Sequence, residues 1–223
     1  VTGIAYETVT SSDGSMPLLA PMSTIAGQLA FVVGSYHLLK HNKGKGVMIG
    51  HMDDMDPRVV TVIGAGVAGT QSILKAIDNN ALVKVVDSSQ SKLDDLKSKY
   101  GTDNIEYILS TKDSIQISVN ESDLVIGSVY VVGKEAPKVV TKDMLSSMNP
   151  GTVMVDVSID QGGCFETSKP TTHDSPTFLE NEIVHYCVTN MPGAVPLTAT
   201  EALNKVSLSY VENLANNGIQ NAL

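Results

Sequence analysis

Gly64-Ala65-Gly66-Val67-Ala68-Gly69 is the segment whose residue types and spacing most directly carry chemistry. It follows the β-branched run Val59 to Ile63 without a gap, and a helical pattern over 70–79 opens behind it, with Ile73, Leu74 and Ile77. Between a strand and a helix, G-x-G-x-x-G cradles a pyrophosphate. The first glycine permits the tight turn, the second lets backbone approach the anion, and the third lets helix and strand pack closely. Free N–H groups at the helix start attract the same anion. Asp87 ends the next strand, eighteen residues beyond Gly69, where a carboxylate accepts hydrogen bonds from ribose hydroxyls and repels a 2′-phosphate. No Arg follows it, so the expected ligand is NAD and not NADP. The competing reading is a glycine turn that binds nothing; the agreement of strand, turn, helix and acidic residue argues against it.

A redox reaction on a small molecule also needs a group that moves a proton. Asp160, in Ser158-Ile159-Asp160-Gln161-Gly162-Gly163, follows the apolar run Thr152 to Val157, and ligands of open α/β sheets bind beyond the carboxyl ends of the strands. On residue chemistry alone an Asp bonded to its own turn competes with that role. Asn190-Met191-Pro192-Gly193 also follows a strand end, where an amide reaching a ligand and a plain turn are equal readings. His173 and Asp174 lack a third ligand at zinc-like spacing and read as loop packing. His185 lies in an apolar run and reads as a satisfied core residue, while His37, His41 and His51 form no constellation. Cys164 and Cys187 read as two inert, reduced thiols. No metal is expected.

Alternating elements must hold these groups. Buried-strand runs recur at Val59 to Ile63, Leu82 to Val86, Ile105 to Leu109, Asp123 to Val129, Thr152 to Val157 and Ile183 to Val188. Between them lie helical patterns marked by Leu93, Leu96 and Tyr100, and by Met144, Leu145 and Met148. Strands alternating with helices predict an α/β domain of the Rossmann type, doubly wound around a mostly parallel sheet. The ends read differently. Ser23 to Lys40 is a long helix with Ser23 as its N-cap, and Ala202 to Ala215 is another, with Gly218 past its end. Both are expected to link this domain to a second one, and Lys43 to Pro57 is expected to be a loop.

Composition excludes several function classes. With 223 residues, 42% hydrophobic and 17% charged, the chain is long enough to bury a core. A formal charge of −9, with Lys40, Lys43 and Lys45 as the densest basic group, argues against a nucleic-acid partner. No apolar run approaches the ~18 residues that cross a bilayer, and no signal-peptide order is present, so no membrane partner and a cytoplasmic location are expected.

Six separated motifs also occur in the order of a known family. They are Leu18-Leu19-Ala20-Pro21-Met22-Ser23 with Ala26-Gly27, the glycine turn, Ala136-Pro137-Lys138, Asp156 to Gly163, Lys169 to His173, and Asn190 to Pro196. Together they closely resemble the bacterial alanine dehydrogenases, nearly end to end. The resemblance implies reversible oxidative deamination of L-alanine to pyruvate and ammonium with NAD, in a homo-hexamer. By likeness, Ser23 and Gly64, Gly66, Val67, Ala68 and Gly69 contact the phosphates, and Asp87 and Lys92 the adenosine end. Ser110, Val129, Tyr130, Val157, Ser158, Ile159, Asp160, Lys169, Val188, Thr189, Asn190 and Met191 line the rest of the cofactor site, with Asp160 catalytic. Lys169 departs from the Arg often found there. The family's substrate-binding Arg and Lys and its acid–base His are expected upstream of Val1. Residues 1–17 then read as a remnant of the substrate domain, 18–196 as the NAD-binding domain, and 197–223 as a C-terminal helix of the substrate domain. The nearest alternatives are the NAD-binding component of a transhydrogenase and a non-catalytic NAD-binding fragment.

Overall fold

The computed structural model describes residues 2–50, 52–131 and 133–222; Val1 and His51 lie outside them. Seven strands form one sheet among these residues: β1 (Val59–Ile63), β2 (Leu82–Asp87), β3 (Ile105–Leu109), β4 (Leu124–Gly127), β5 (Val153–Asp156), β6 (Thr177–Glu180) and β7 (Ile183–Tyr186). Their spatial order is β3-β2-β1-β4-β5-β7-β6. All neighbours are parallel except β6, which runs antiparallel to β7 at the edge. The chain steps from β1 outward to β3, then returns to lay β4 on β1's other side. The carboxyl ends of β1 and β4 therefore flank the switch point where such sheets open a crevice for ligand. The expected doubly wound, mostly parallel fold is the one observed.

Unalternated β-branched strands demand cover on both faces. One layer packs Val60, Val62, Val83, Val85, Leu124 and Ile126 beneath α1 (Ala20–His37), α2 (Val67–Asp78) and α3 (Gln90–Tyr100). The other packs Ile63, Val86, Val125 and Met154 against Ile115 and Val119 of α4 (Lys112–Glu121), with Met144, Leu145 and Phe165. α1 and α2 approach very closely. A Cβ on Gly27 would stand 2.0 Å from the Ala68 carbonyl oxygen, and Ser72 Oγ donates to the Gly27 carbonyl at 2.7 Å. The last helix, α5 (Pro196–Ala222), buries only Ser207 along its length.

Several expected boundaries moved. Ser23 is not an N-cap: α1 begins at Ala20 after Leu19, and the Ser23 N–H already bonds back to the Leu19 carbonyl at 3.1 Å. The reason is Pro21, whose fixed φ suits a helix's first positions and draws the start upstream. α2 starts at Val67, three residues before the expected Thr70. α4 was not anticipated, because only Ile115 and Val119 are apolar on its buried face, and its capping box uses Ser114 where the S/T-x-x-E/Q signature has Glu or Gln. β6 was also missed, as a four-residue edge strand with a partly exposed pattern. The Met144 helix is a 3-10 turn over Lys142–Ser147. α5 extends well beyond Ala202 to Ala215, with Gly218 at φ +68 breaking it near its end. Residues 43–50 and 52–57 carry no regular element, as expected of a loop.

Candidate functional site

The three glycines of the turn are needed for three different reasons. Gly64 sits at φ +98, and a Cβ there would stand 2.6 Å from the Ser128 carbonyl oxygen. A Cβ on Gly69 would stand 1.8 Å from the Gly64 carbonyl oxygen, so helix and turn touch backbone to backbone. Gly66 has nothing within 4 Å of the equivalent point. Its open face lies at the start of α2, where no side chain caps the free N–H groups. By contrast α3 is capped by Ser89 and α4 by Thr111. α1 also begins without a side-chain cap, and Ser23 lies one turn before Gly27, which abuts Ala68. An open cradle over Gly66 at an uncapped helix start fits a bound pyrophosphate.

Asp87 fills its expected place at the end of β2 and does something the sequence did not reveal. Its Oδ2 accepts from the Ala65 N–H at 2.7 Å and its Oδ1 from the Ser89 N–H at 2.8 Å. The carboxylate thus ties the glycine turn to the cap of α3, and each oxygen keeps capacity for a further donor such as a ribose hydroxyl. Lys92 is exposed in the first turn of α3. Ser110 is joined to the same neighbourhood through its N–H on the Asp87 carbonyl, at 2.9 Å.

Across the crevice, Val129 and Tyr130 follow β4, and Ser158 Oγ donates to the Val129 carbonyl at 2.8 Å. Asp160 stands exposed on the 3-10 turn Ile159–Gln161, just past Val157. The Asn190 N–H points at both its oxygens, at 3.4 and 3.3 Å, so its partner comes from the far strand end and not from its own turn. Asn190 holds a left-handed backbone (φ 51), and His173 Nε2 lies 3.3 Å from its carbonyl oxygen. Val188 and Met191 are buried behind Asn190, and Thr189 is exposed beside it. Lys169 is not brought to this cluster. Its ammonium lies 3.7 Å from Glu180 Oε2 and 5.4 Å from the Phe178 ring centroid, on β6.

The remaining candidates are structural. His185 is fully buried; its Nδ1 donates to the Ile183 carbonyl at 3.1 Å and its Nε2 accepts from the Thr167 hydroxyl at 2.8 Å. Burial lowers its pKa. Burial pushes the Cys164 thiol well up, with the nearby Asp156 adding to the effect, and pushes Cys187 up to about 12. Both cysteines are free and suited to neither nucleophilic nor metal chemistry. No group of three or more His, Cys, Asp or Glu placed to hold a metal occurs among the described residues.

Sequence reasoning missed the groups that hold the site in shape. Ser128 Oγ donates to the Gly64 carbonyl at 2.8 Å. Lys138 Nζ reaches the carbonyls of Gly162 and Gly163. Asp156 is buried beneath the Asp160 loop. Their signal was adjacency to motifs, which does not reveal partners distant in sequence.

Comparison with known proteins bears on the family and the fold. The family described as alanine dehydrogenase/PNT, C-terminal domain, matches residues 30–223. A curated alanine dehydrogenase from Halomonas elongata is 50% identical over 222 residues, covering 100% of this chain and 60% of that protein. A solved L-alanine dehydrogenase structure superposes with a TM-score of 0.93 at 43% identity, over 97% of this chain and 60% of the other. A transhydrogenase from Sinorhizobium meliloti, at a TM-score of 0.77 and 22% identity over 92% of this chain and 57% of the other, shares the fold. The chain thus spans about 60% of the length of the alanine dehydrogenases it matches. On its sequence and its fold alike, it belongs to the alanine dehydrogenase/PNT C-terminal domain family.

Proposed function

We propose that this chain is the NAD-binding portion of an enzyme that reversibly deaminates L-alanine to pyruvate and ammonium. The observation that carries the reading is the open face of Gly66 at the uncapped start of α2, with Asp160 on the opposite wall of the crevice. NAD, when bound, supplies the hydride-accepting nicotinamide. The N–H groups of Val67, Ala68 and Gly69, with Ser23 from α1, hold the phosphates. Asp87 and Lys92 hold the adenosine end, and Asp87 sets the preference for NAD over NADP. Ser110, Val129, Tyr130, Val157 to Asp160 and Val188 to Met191 line the remainder and limit water there. Lys169 joins them only by leaving Glu180. Asp160 accepts or returns the proton that substrate amine and water exchange during turnover. The groups that grip the alanine carboxylate belong to the portion of the relatives outside the match. Residues 1–17 and 197–223 are assigned to that substrate domain, and the whole assembles as a cytoplasmic homo-hexamer.

The name of the relatives favours alanine over the transhydrogenase reaction, since the transhydrogenase likeness extends only to fold. The test has two parts. Titration of the chain with NADH and NADPH, read by coenzyme fluorescence, should show binding of NADH alone. Mixing with a separately expressed N-terminal segment of an alanine dehydrogenase should then give NADH formation from L-alanine and NAD. Binding without turnover in that mixture would reduce the reading to a non-catalytic NAD-binding fragment; equal affinity for NADPH would remove the role given to Asp87.

A further inference from the structure

Asp156 is buried to 0% exposure at the end of β5, and no ion pair among the described residues reaches it. A carboxyl so placed needs its oxygens satisfied. Donors converge on it from one segment of chain. Oδ1 accepts from the Ser158 N–H at 2.9 Å and faces the Cys164 thiol at 3.5 Å. Oδ2 accepts from the N–H groups of Cys164 at 2.8 Å and Phe165 at 3.3 Å, and from the Ser168 hydroxyl. These donors bracket Ile159 to Gly163, so the loop that carries Asp160 is wrapped around this one side chain.

The glycines nearby are explained by the same wrapping. A Cβ on Gly163, at φ +77, would stand 2.8 Å from Asp156 Oδ2, and a Cβ on Gly127 of β4 would stand 2.3 Å from Cys164 Sγ. The loop passes over the carboxyl with no room for a side chain. Lys138 on the two glycine carbonyls and the Ala136 N–H on the Gln161 carbonyl, at 3.0 Å, tie down its outer face. Beyond the clamp, the only hydrogen-bond partner of the Asp160 carboxyl among the described residues is the Asn190 N–H.

We propose that Asp156 is the positioning residue of the Asp160 loop: its carboxyl gathers the donors of residues 158–168 so that Val157 to Asp160 present a fixed wall to the nicotinamide end of the cofactor. The ligand half of this statement rests on the proposed NAD reading; the loop half does not. Asp156→Asn replaces one acceptor oxygen with an N–H donor facing N–H donors, so the loop must release.

Two measurements on the whole chain test the role. Amide hydrogen exchange in Asp156→Asn should accelerate at Ser158, Cys164 and Phe165 while Val60 to Ile63 stay protected. Affinity for NADH should fall about tenfold, the scale of losing a hydrogen bond to a charged group. Affinity for ADP-ribose, which lacks the nicotinamide and meets the phosphate and adenosine groups away from this loop (the glycine turn, Ser23, Asp87 and Lys92), should change less than about twofold on the same argument. A general loss of structure would weaken both ligands equally and deprotect β1 as well; either result, or unchanged exchange in the loop, overturns the proposal. Ser168→Ala removes one donor and spares the carboxyl, and serves if Asp156→Asn does not fold. It should raise exchange at Phe165 and weaken NADH selectively, and a silent Ser168→Ala then counts against the role. If the unaltered chain binds neither ligand, the NAD reading fails, and the exchange arm alone decides whether Asp156 holds the loop.

Discussion

At the scale of single residues, Gly66 and Gly69 carry the same side chain for opposite reasons, and substitution separates them. Alanine at 66 meets no protein atom within 4 Å, and its backbone angles of −77° and −164° are open to any residue. Gly66→Ala is expected to keep the melting temperature, or raise it slightly through the stiffer unfolded chain, by up to about 1 kcal/mol. Its methyl occupies the space assigned to the pyrophosphate, so NADH affinity should drop at least about tenfold, as for a lost charge-assisted contact. Alanine at 69 drives its methyl to 1.8 Å from the Gly64 carbonyl, which forces helix from turn. Overpacking of that kind costs about 1–3 kcal/mol or more and should appear as a lowered melting temperature with or without ligand. Thermal melts and NADH titrations of the two variants would contradict this account if Gly66→Ala destabilised as much as Gly69→Ala.

At the scale of elements, what was legible in the sequence and what was not divide along physical lines. β1, β2 and β5 were readable because they are buried on both faces and therefore dominated by apolar residues, with Thr61 in β1 and Lys84 in β2 as buried exceptions. The glycine turn was readable because its constraints are local. α4 and β6 were not, since each is half solvent-facing and only two apolar positions mark α4's inner side. Asp160 could be named from its place after a strand, whereas its contact with Asn190, thirty residues away, exists only once β5 and β7 lie side by side. α5 poses a different problem of cover. It buries Ser207 alone, while Leu197, at 73% exposed, and Leu208 and Val211 face outward. A helix whose stability comes from a buried face has little to hold it here. Amide exchange in α5 should run at least about a hundredfold faster than in β1, given the free-energy span between loosely held elements and the core. Equal protection of α5 and β1 would mean that another surface covers the helix in solution.

At the scale of the whole molecule, the buried titratable groups set the pH range in which the fold is most stable. Burial lowers the pKa of His37 and His185 below the ordinary 6.5. Both are neutral when folded and take up protons on unfolding, so their contribution is complete above about pH 6.5 and is lost as pH falls below it. Burial raises Cys164 and Cys187 above the ordinary 9.0, and Tyr107 and Tyr186 above 10.0. Those groups stay protonated when folded and release protons on unfolding, so their contribution holds below about pH 9 and is lost above it. Each such proton tilts stability by about 1.4 kcal/mol per pH unit. Melting temperature from pH 5 to 11 should therefore show a plateau between about 6.5 and 9 with a fall on both sides. Replacing Cys187 with Ala should soften the alkaline fall without moving the acid one; an alkaline limb identical in that variant would mean the thiol is not buried as described. The same plateau would bound any assay of the proposed alanine oxidation: that reaction releases a proton and is drawn forward by base, yet above about pH 9 the fold is expected to lose stability.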